Sequence, residues 1–142
     1  LFIDYGYTRR DYYQPQRRDG TLICHYQQRA HADPFKWPGL TDISASVDFT
    51  ALAEAANHCR FEVIGYTTQA MFLLACSLDK ILSGTGCLSE PDRLKINNQV
   101  RCLTLPGEMG ERFQVMALGR GLEKDLRDDL RGFAHTDLRY RL

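Results

Sequence analysis

Leu1-Phe2-Ile3-Asp4-Tyr5-Gly6 opens the chain with a short apolar run closed by an acid, an aromatic residue and a glycine. A run of this length bounded by turn formers reads as the end of a buried strand. Two later segments read the same way. Phe61-Glu62-Val63-Ile64-Gly65-Tyr66 is a second strand. Phe113-Gln114-Val115-Met116-Ala117-Leu118, stopped by Gly119-Arg120-Gly121, is a third. Between the first two, Asp48 can offer its carboxylate to the free N–H groups of a helix start. Phe49, Leu52, Ala53 and Ala56 then give that helix one apolar face, ending near His58-Cys59. Strand, helix, strand and a later strand is the arithmetic of an α/β domain. Three strands are few for a parallel sheet, which needs both faces covered and more neighbours. The chain is therefore expected to be part of a larger sheet, with Leu1 marking a cut through a longer protein rather than a natural start.

The connecting segments are less regular. Residues 7–20 are polar, aromatic and arginine-rich and read as a loop; Thr21 to Tyr26 leans towards a short strand; residues 27–46, with Pro34, Pro38 and Gly39, read as an irregular excursion. A connection as long as 7–46 is uncommon in a compact domain and tends to be functional. Thr68 can cap a helix running to about Leu82, apolar over more than half its circumference and hence expected to be buried. Gly84 and Gly86 break it. Ser89 with Asp92 resembles a capping box, and helix continues through Leu103 to Pro106-Gly107. Residues 122–131 are heavily charged and read as an exposed helix.

Composition narrows the function. The 142 residues suit a single domain (1–142) with a real core, and 44% hydrophobic with 25% charged residues is ordinary for a globular protein. Eighteen basic and eighteen acidic residues give a net charge of +0, so no global field favours nucleic acid or an anionic membrane. No apolar run approaches the ~20 residues of a membrane span, and no signal peptide is visible. Five cysteines without a CxxC pair argue against a zinc site and for reduced, buried thiols in a protein of the bacterial cytoplasm.

Four motifs in register carry a family resemblance: Asp4-Tyr5-Gly6 closing a strand and followed by Arg17-Arg18-Asp19-Gly20-Thr21-Leu22; Pro38 to Phe49; Thr67-Thr68-Gln69-Ala70-Met71-Phe72-Leu73; and Met109 to Leu118. In this order and spacing, over roughly residues 1–121, they resemble the MidA family of class I S-adenosylmethionine-dependent methyltransferases. Its mitochondrial member is the arginine methyltransferase that assists assembly of respiratory complex I. The resemblance implies the C-terminal half of a Rossmann-like sheet. Residues 1–6 would be the fifth strand of the family's sheet, 48–58 the next helix and 61–67 the sixth strand. Residues 113–119 would be the seventh, inserted antiparallel between the other two, and 69–104 a helical insertion. It also implies S-adenosylmethionine as cofactor and a protein substrate, with a respiratory complex subunit as the family's example. The family's glycine-rich cofactor loop follows its first strand, and no GxGxxG occurs here. Cofactor-binding residues are therefore expected outside this chain, and this part alone is expected neither to bind the cofactor tightly nor to act.

Asp4, at the carboxyl edge of a strand where ligands of open α/β sheets bind, is the candidate catalytic residue. It could orient a substrate amine or guanidinium through charge-assisted hydrogen bonds, or simply cap a turn. Tyr5 and Tyr7, flanking Gly6, could wall a cationic group by cation–π attraction, or merely pack. Asp42 has no evident structural duty and is a substrate-contact candidate. Asp48 is a second, although a helix cap is its simplest role. Gln69 opens a helix near a strand end, where its amide could face the cleft.

Three other readings compete. Arg9, Arg10, Arg17 and Arg18 interleaved with Tyr12 and Tyr13 suggest single-stranded nucleic acid, against which stand the zero net charge, Asp11 and Asp19. Cys24, His25, His31 and Asp33 could be assembled into a metal site, though histidines in a loop are more often merely polar. Loop 7–46 could make the chain a partner-binding module without activity of its own. A strand 1–6 cut from its neighbour would expose an apolar edge, so self-association through that edge is expected.

Overall fold

The computed structural model describes residues 1–123 and 130–142. The chain runs β1 (Phe2–Tyr7), α1 (Arg9–Tyr12), β2 (Ile23–Tyr26), β3 (Arg29–His31), β4 (Asp42–Ser44), β5 (Val47–Asp48), α2 (Phe49–His58), β6 (Glu62–Thr68), α3 (Gln69–Ala75), α4 (Leu78–Ser83), α5 (Glu90–Thr104), α6 (Met109–Arg112) and β7 (Phe113–Gly119). Short 3₁₀ turns occupy Gly84–Cys87, Arg131–Phe133 and Arg139–Arg141. The expected helix over 122–131 falls largely on residues outside those described.

The main sheet has the order β5-β1-β7-β6. β7 is antiparallel to both neighbours, with Phe2 opposite Met116 and Tyr66 opposite Met116. This is the inserted antiparallel strand that the resemblance implies, within a mixed α/β fold. Strand alternation then sorts the core into two faces. On one, Phe49 and Ala53 of α2 meet Tyr66 and Met116, with Val47, Leu52, Leu138 and Leu142 around them. On the other, Val115, Ala117 and Phe133 meet Ile64, Phe72 and Leu130. Phe49 is fully buried, and burying a side chain of that size stabilises by about 2–3 kcal/mol. Residues 138–142 are tied to β6. Leu138 donates its N–H to the Tyr66 carbonyl at 2.6 Å, and the Arg139 guanidinium reaches the Val63 carbonyl.

Two close approaches require glycine. A Cβ on Gly6 would lie 2.3 Å from the Val47 carbonyl oxygen and 2.7 Å from the Phe49 ring. Gly6 therefore lets β5 pair in parallel with the end of β1 while α2 docks beneath. A Cβ on Gly65 would lie 2.4 Å from the Phe133 ring, next to a register shift in β6.

Several expectations are corrected. Residues 27–46 are not wholly irregular: they hold β3 and β4, which flank the expected short strand β2 in an antiparallel meander of the order β3-β2-β4. A four-residue helix, α1, lies within the expected loop 7–20. The helix expected from Thr68 to Leu82 breaks at Ser77, which adopts φ 64°, so α3 and α4 are separate. α3 buries only Gln69 and Ala70, and α4 nothing. Of the cysteines, Cys24 is buried, whereas Cys59, Cys76 and Cys102 are exposed.

Candidate functional site

The carboxyl end of β1 is where the meander meets the main sheet. Successive side chains of a strand point to opposite faces, so Tyr5 and Tyr7 leave β1 together. They form one wall of a cavity of about 730 Å³. Phe113, edge-on to Tyr5 with ring centroids 5.7 Å apart, extends this wall into β7. Glu108, Met109 and Arg112, in and just before α6, close one side; Leu22, Ile23, His25 and Ala30–Ala32 of the meander form the roof. Aromatic and aliphatic walls with a few charged groups at the rim suit a ligand with an apolar stem and one polar head.

The charged groups are unevenly engaged. Arg17 reaches into the cavity and lays its guanidinium over the Tyr7 ring, 3.9 Å from the centroid. It also donates to the Asp11 carbonyl. Asp11 is itself fixed by the Thr8 hydroxyl at 3.1 Å and by Arg141 at 2.9 Å. Nearby, Arg9 forks onto Glu54 with both contacts at 2.6 Å. That hydrogen bond raises the Arg9 guanidinium above its ordinary range and holds the Glu54 carboxylate below its own. Of the basic loop only Arg17 is turned inward; Arg9 is exposed though paired, and Arg10 and Arg18 are exposed.

A second, more polar cavity of about 320 Å³ lies between the carboxyl ends of β1 and β6. Gly6, Tyr7, Thr68, Asp11, Gln114 and Arg141 line it, together with Tyr66. Tyr7 therefore separates the two cavities.

The remaining candidates are distributed as follows. Asp4 is half-buried and accepts a hydrogen bond from the Tyr5 N–H at 2.8 Å. It sits in mid-strand opposite Gln114, not at the carboxyl edge expected from the sequence, because β1 continues to Tyr7; by alternation it leaves β1 on the α2 face, opposite Tyr5 and Tyr7 and away from the cavity. Asp42 is exposed on β4 directly across from His25, a roof residue. Asp48 caps α2, accepting from the Ala51 N–H at 3.0 Å, with Arg9 3.6 Å away. Gln69 is buried, and its amide donates to the Leu103 carbonyl at 2.9 Å, tying α5 to the start of α3. His31 packs edge-on against Trp37, and Trp37 against Tyr26. Among the described residues no group of three or more His, Cys, Asp or Glu is placed to hold a metal, and no helix is long and apolar enough to cross a membrane.

Read from sequence alone, Met109 and Arg112 have no site role, His31 belongs to a candidate metal group and Arg17 to a candidate nucleic-acid loop. Arg17 stood out only as part of a basic loop, and Met109–Arg112 only as part of a family motif. Nothing local in the sequence brings residues 17, 31 and 112 to one cavity.

A two-faced α/β sheet with an antiparallel strand inside it is the architecture of methyltransferase-like proteins. Residues 1–67 match a family described as "Putative S-adenosyl-L-methionine-dependent methyltransferase". Two solved structures from Burkholderia thailandensis are similar over 99% of this chain at 42% identity. One is an uncharacterised COG1565 superfamily protein (TM-score 0.92). The other is a COG1565 superfamily member crystallised with S-adenosyl-homocysteine (TM-score 0.89). The chain spans 37% and 35% of their respective lengths. No curated protein matches it. By these likenesses the chain is similar to S-adenosylmethionine-dependent methyltransferase-like proteins over almost its whole length, and to that family's model over its first 67 residues.

Proposed function

We propose that the chain forms the acceptor side of an S-adenosylmethionine-dependent protein methyltransferase of MidA type, with an arginine side chain as the methyl acceptor. The observation that carries this reading is the roofed cavity, whose Tyr5 and Tyr7 wall already seats one guanidinium, that of Arg17. The neighbour bound to S-adenosyl-homocysteine supports the cofactor. When bound, S-adenosylmethionine supplies an electrophilic methyl on a good leaving group, so holding the acceptor in line contributes most of the acceleration. Tyr5, Tyr7 and Phe113 would hold the acceptor's planar head and exclude water around it. Asp4, in mid-strand on the α2 face and away from the cavity, would act as a positioning residue through its hold on the Tyr5 N–H, and Asp42 would meet the substrate chain at the roof. Asp48 and Gln69 would serve by fixing α2 and α5. Among the described residues no glycine-rich turn joins a strand end to a helix start. The cofactor cradle is accordingly assigned to no residue of this chain.

Transfer of a labelled methyl group by the full-length protein to arginine-containing and lysine-containing peptides tests the reading. Tyr5→Ala and Tyr7→Leu are expected to lower transfer to the arginine peptide by about tenfold, the worth of a desolvated cation–π contact. Asp4→Asn is expected to lower it with little change in KM. Unchanged transfer in both tyrosine variants would remove the cavity from the reaction. A non-catalytic partner-binding reading is favoured by one observation, the high exposure of Phe35 (84%) and Leu40 (67%) on the outer meander. Specific capture of a protein by a cofactor-free preparation that transfers nothing would support that reading instead.

A further inference from the structure

Arg17 holds its place by unusual means. Its backbone sits in consecutive turns, accepting from the Gly20 N–H at 3.3 Å and donating to the Gln14 carbonyl at 2.9 Å. Its guanidinium lies over Tyr7 and donates to the Asp11 carbonyl. Among the described residues no carboxylate forms an ion pair with it. Arg9, Arg139 and Arg141, by contrast, each close on an acid. A cation held by a ring face and a single carbonyl is retained by weak, exchangeable contacts. Its position is also the one that a cationic ligand of the cavity would need. Tyr7 offers its face to one cation at a time, and the turn at Gln14–Gly20 keeps Arg17 tethered beside it at high local concentration.

We propose that Arg17 is a resident occupant of the acceptor seat. It covers the Tyr7 face until a cationic side chain displaces it, and so determines which acceptors enter. The proposal rests on the acceptor-side reading given above. A neutral planar group cannot displace a charged one from a ring quadrupole, whereas a guanidinium can. Displacement costs the newcomer part of its binding energy, so affinity for any small cation is held low. A substrate that also contacts the meander roof can meet that cost. Arg17 thus acts as a specificity-determining residue by competition, not by contact with the reacting atoms.

Titration of the full-length protein with methylguanidinium, and with methylurea as the neutral planar control, tests this. In the wild type, methylguanidinium is expected to shift the Arg17 Nε–H resonance as the group leaves the ring; methylurea should leave it unmoved. Arg17→Gln is expected to bind methylguanidinium about fivefold more tightly, the worth of one cation–π contact. Arg17→Lys should fall between the two, and Tyr7→Leu should weaken binding about five- to tenfold in either background. If Arg17→Gln binds as the wild type does while Tyr7→Leu still weakens binding, the seat stands and the resident occupant is overturned. If Tyr7→Leu binds as well as the wild type, or no variant binds, the acceptor-side reading falls and Arg17 with it. The wild-type resonance shift requires no substitution, so a misfolded variant does not decide the outcome.

Discussion

Tyr66 is 2% exposed and faces Phe49, 5.5 Å away between ring centroids, yet its residue also borders the polar cavity between β1 and β6. Burial pushes its phenol up to about 12; Arg141 opposes the shift and Asp11 adds to it. The neutral phenol is thus favoured in the folded chain, whereas an unfolded tyrosine ionises near ~10. The contribution to stability is complete below about pH 10 and is lost as pH rises through about 12. Titration of the phenolate absorbance is expected to show one of the seven tyrosines ionising late, and Tyr66→Phe should remove that late step alone. At this scale the sequence was legible wherever a role depends on near neighbours. Asp48 could be read as a cap because its partner, Ala51, is three residues on. Gln69 could not be read, because the carbonyl it serves is on Leu103, 34 residues away.

Elements were legible where apolar runs are long and opaque where turn chemistry is atypical. β1, α2, β6 and β7 follow from their patterns. Of the meander only β2 does, because the hairpin turns at Gln27-Gln28, both with positive φ (46° and 64°). Such turns usually advertise themselves as Asn-Gly or Asp-Gly; two glutamines hide this one. The break at Ser77 is concealed in the same way, since a serine takes the left-handed conformation usually given to glycine. Gly6 is the joint on which site and scaffold both depend. Gly6→Ala would drive a methyl into the Val47 carbonyl. It is expected to destabilise by roughly 1–3 kcal/mol, in the range of overpacked cores. It should also detach β5 from β1, which denaturant unfolding and amide exchange at Val47–Asp48 would register.

On the scale of the whole molecule, β7 pairs with one flank of β1 from Phe2 to Tyr5, whereas β5 covers the other flank only at Gly6 and Tyr7. Among the described residues nothing pairs with that flank from Phe2 to Tyr5. Leu1, Phe2 and Ile3 are 65%, 47% and 49% exposed there. Apolar, unpaired edges recruit other strands, so residues 1–142 prepared alone are expected to self-associate. Sedimentation should show concentration-dependent growth that Ile3→Lys suppresses; a monomer at all concentrations would mean that the flank is protected otherwise.

The position of β7 carries a consequence for how the chain reaches this state. The central strand of the sheet comes more than a hundred residues after β1, which it must join. During synthesis β1 and β6 emerge with no strand between them, and neither core face can close until Phe113–Gly119 arrives. Sheets completed by such distant pairings fold slowly, because loop closure must precede any gain from contact. Throughout that interval the unfilled slot between β1 and β6 is open to foreign strands, which makes the nascent chain a natural client for holding chaperones.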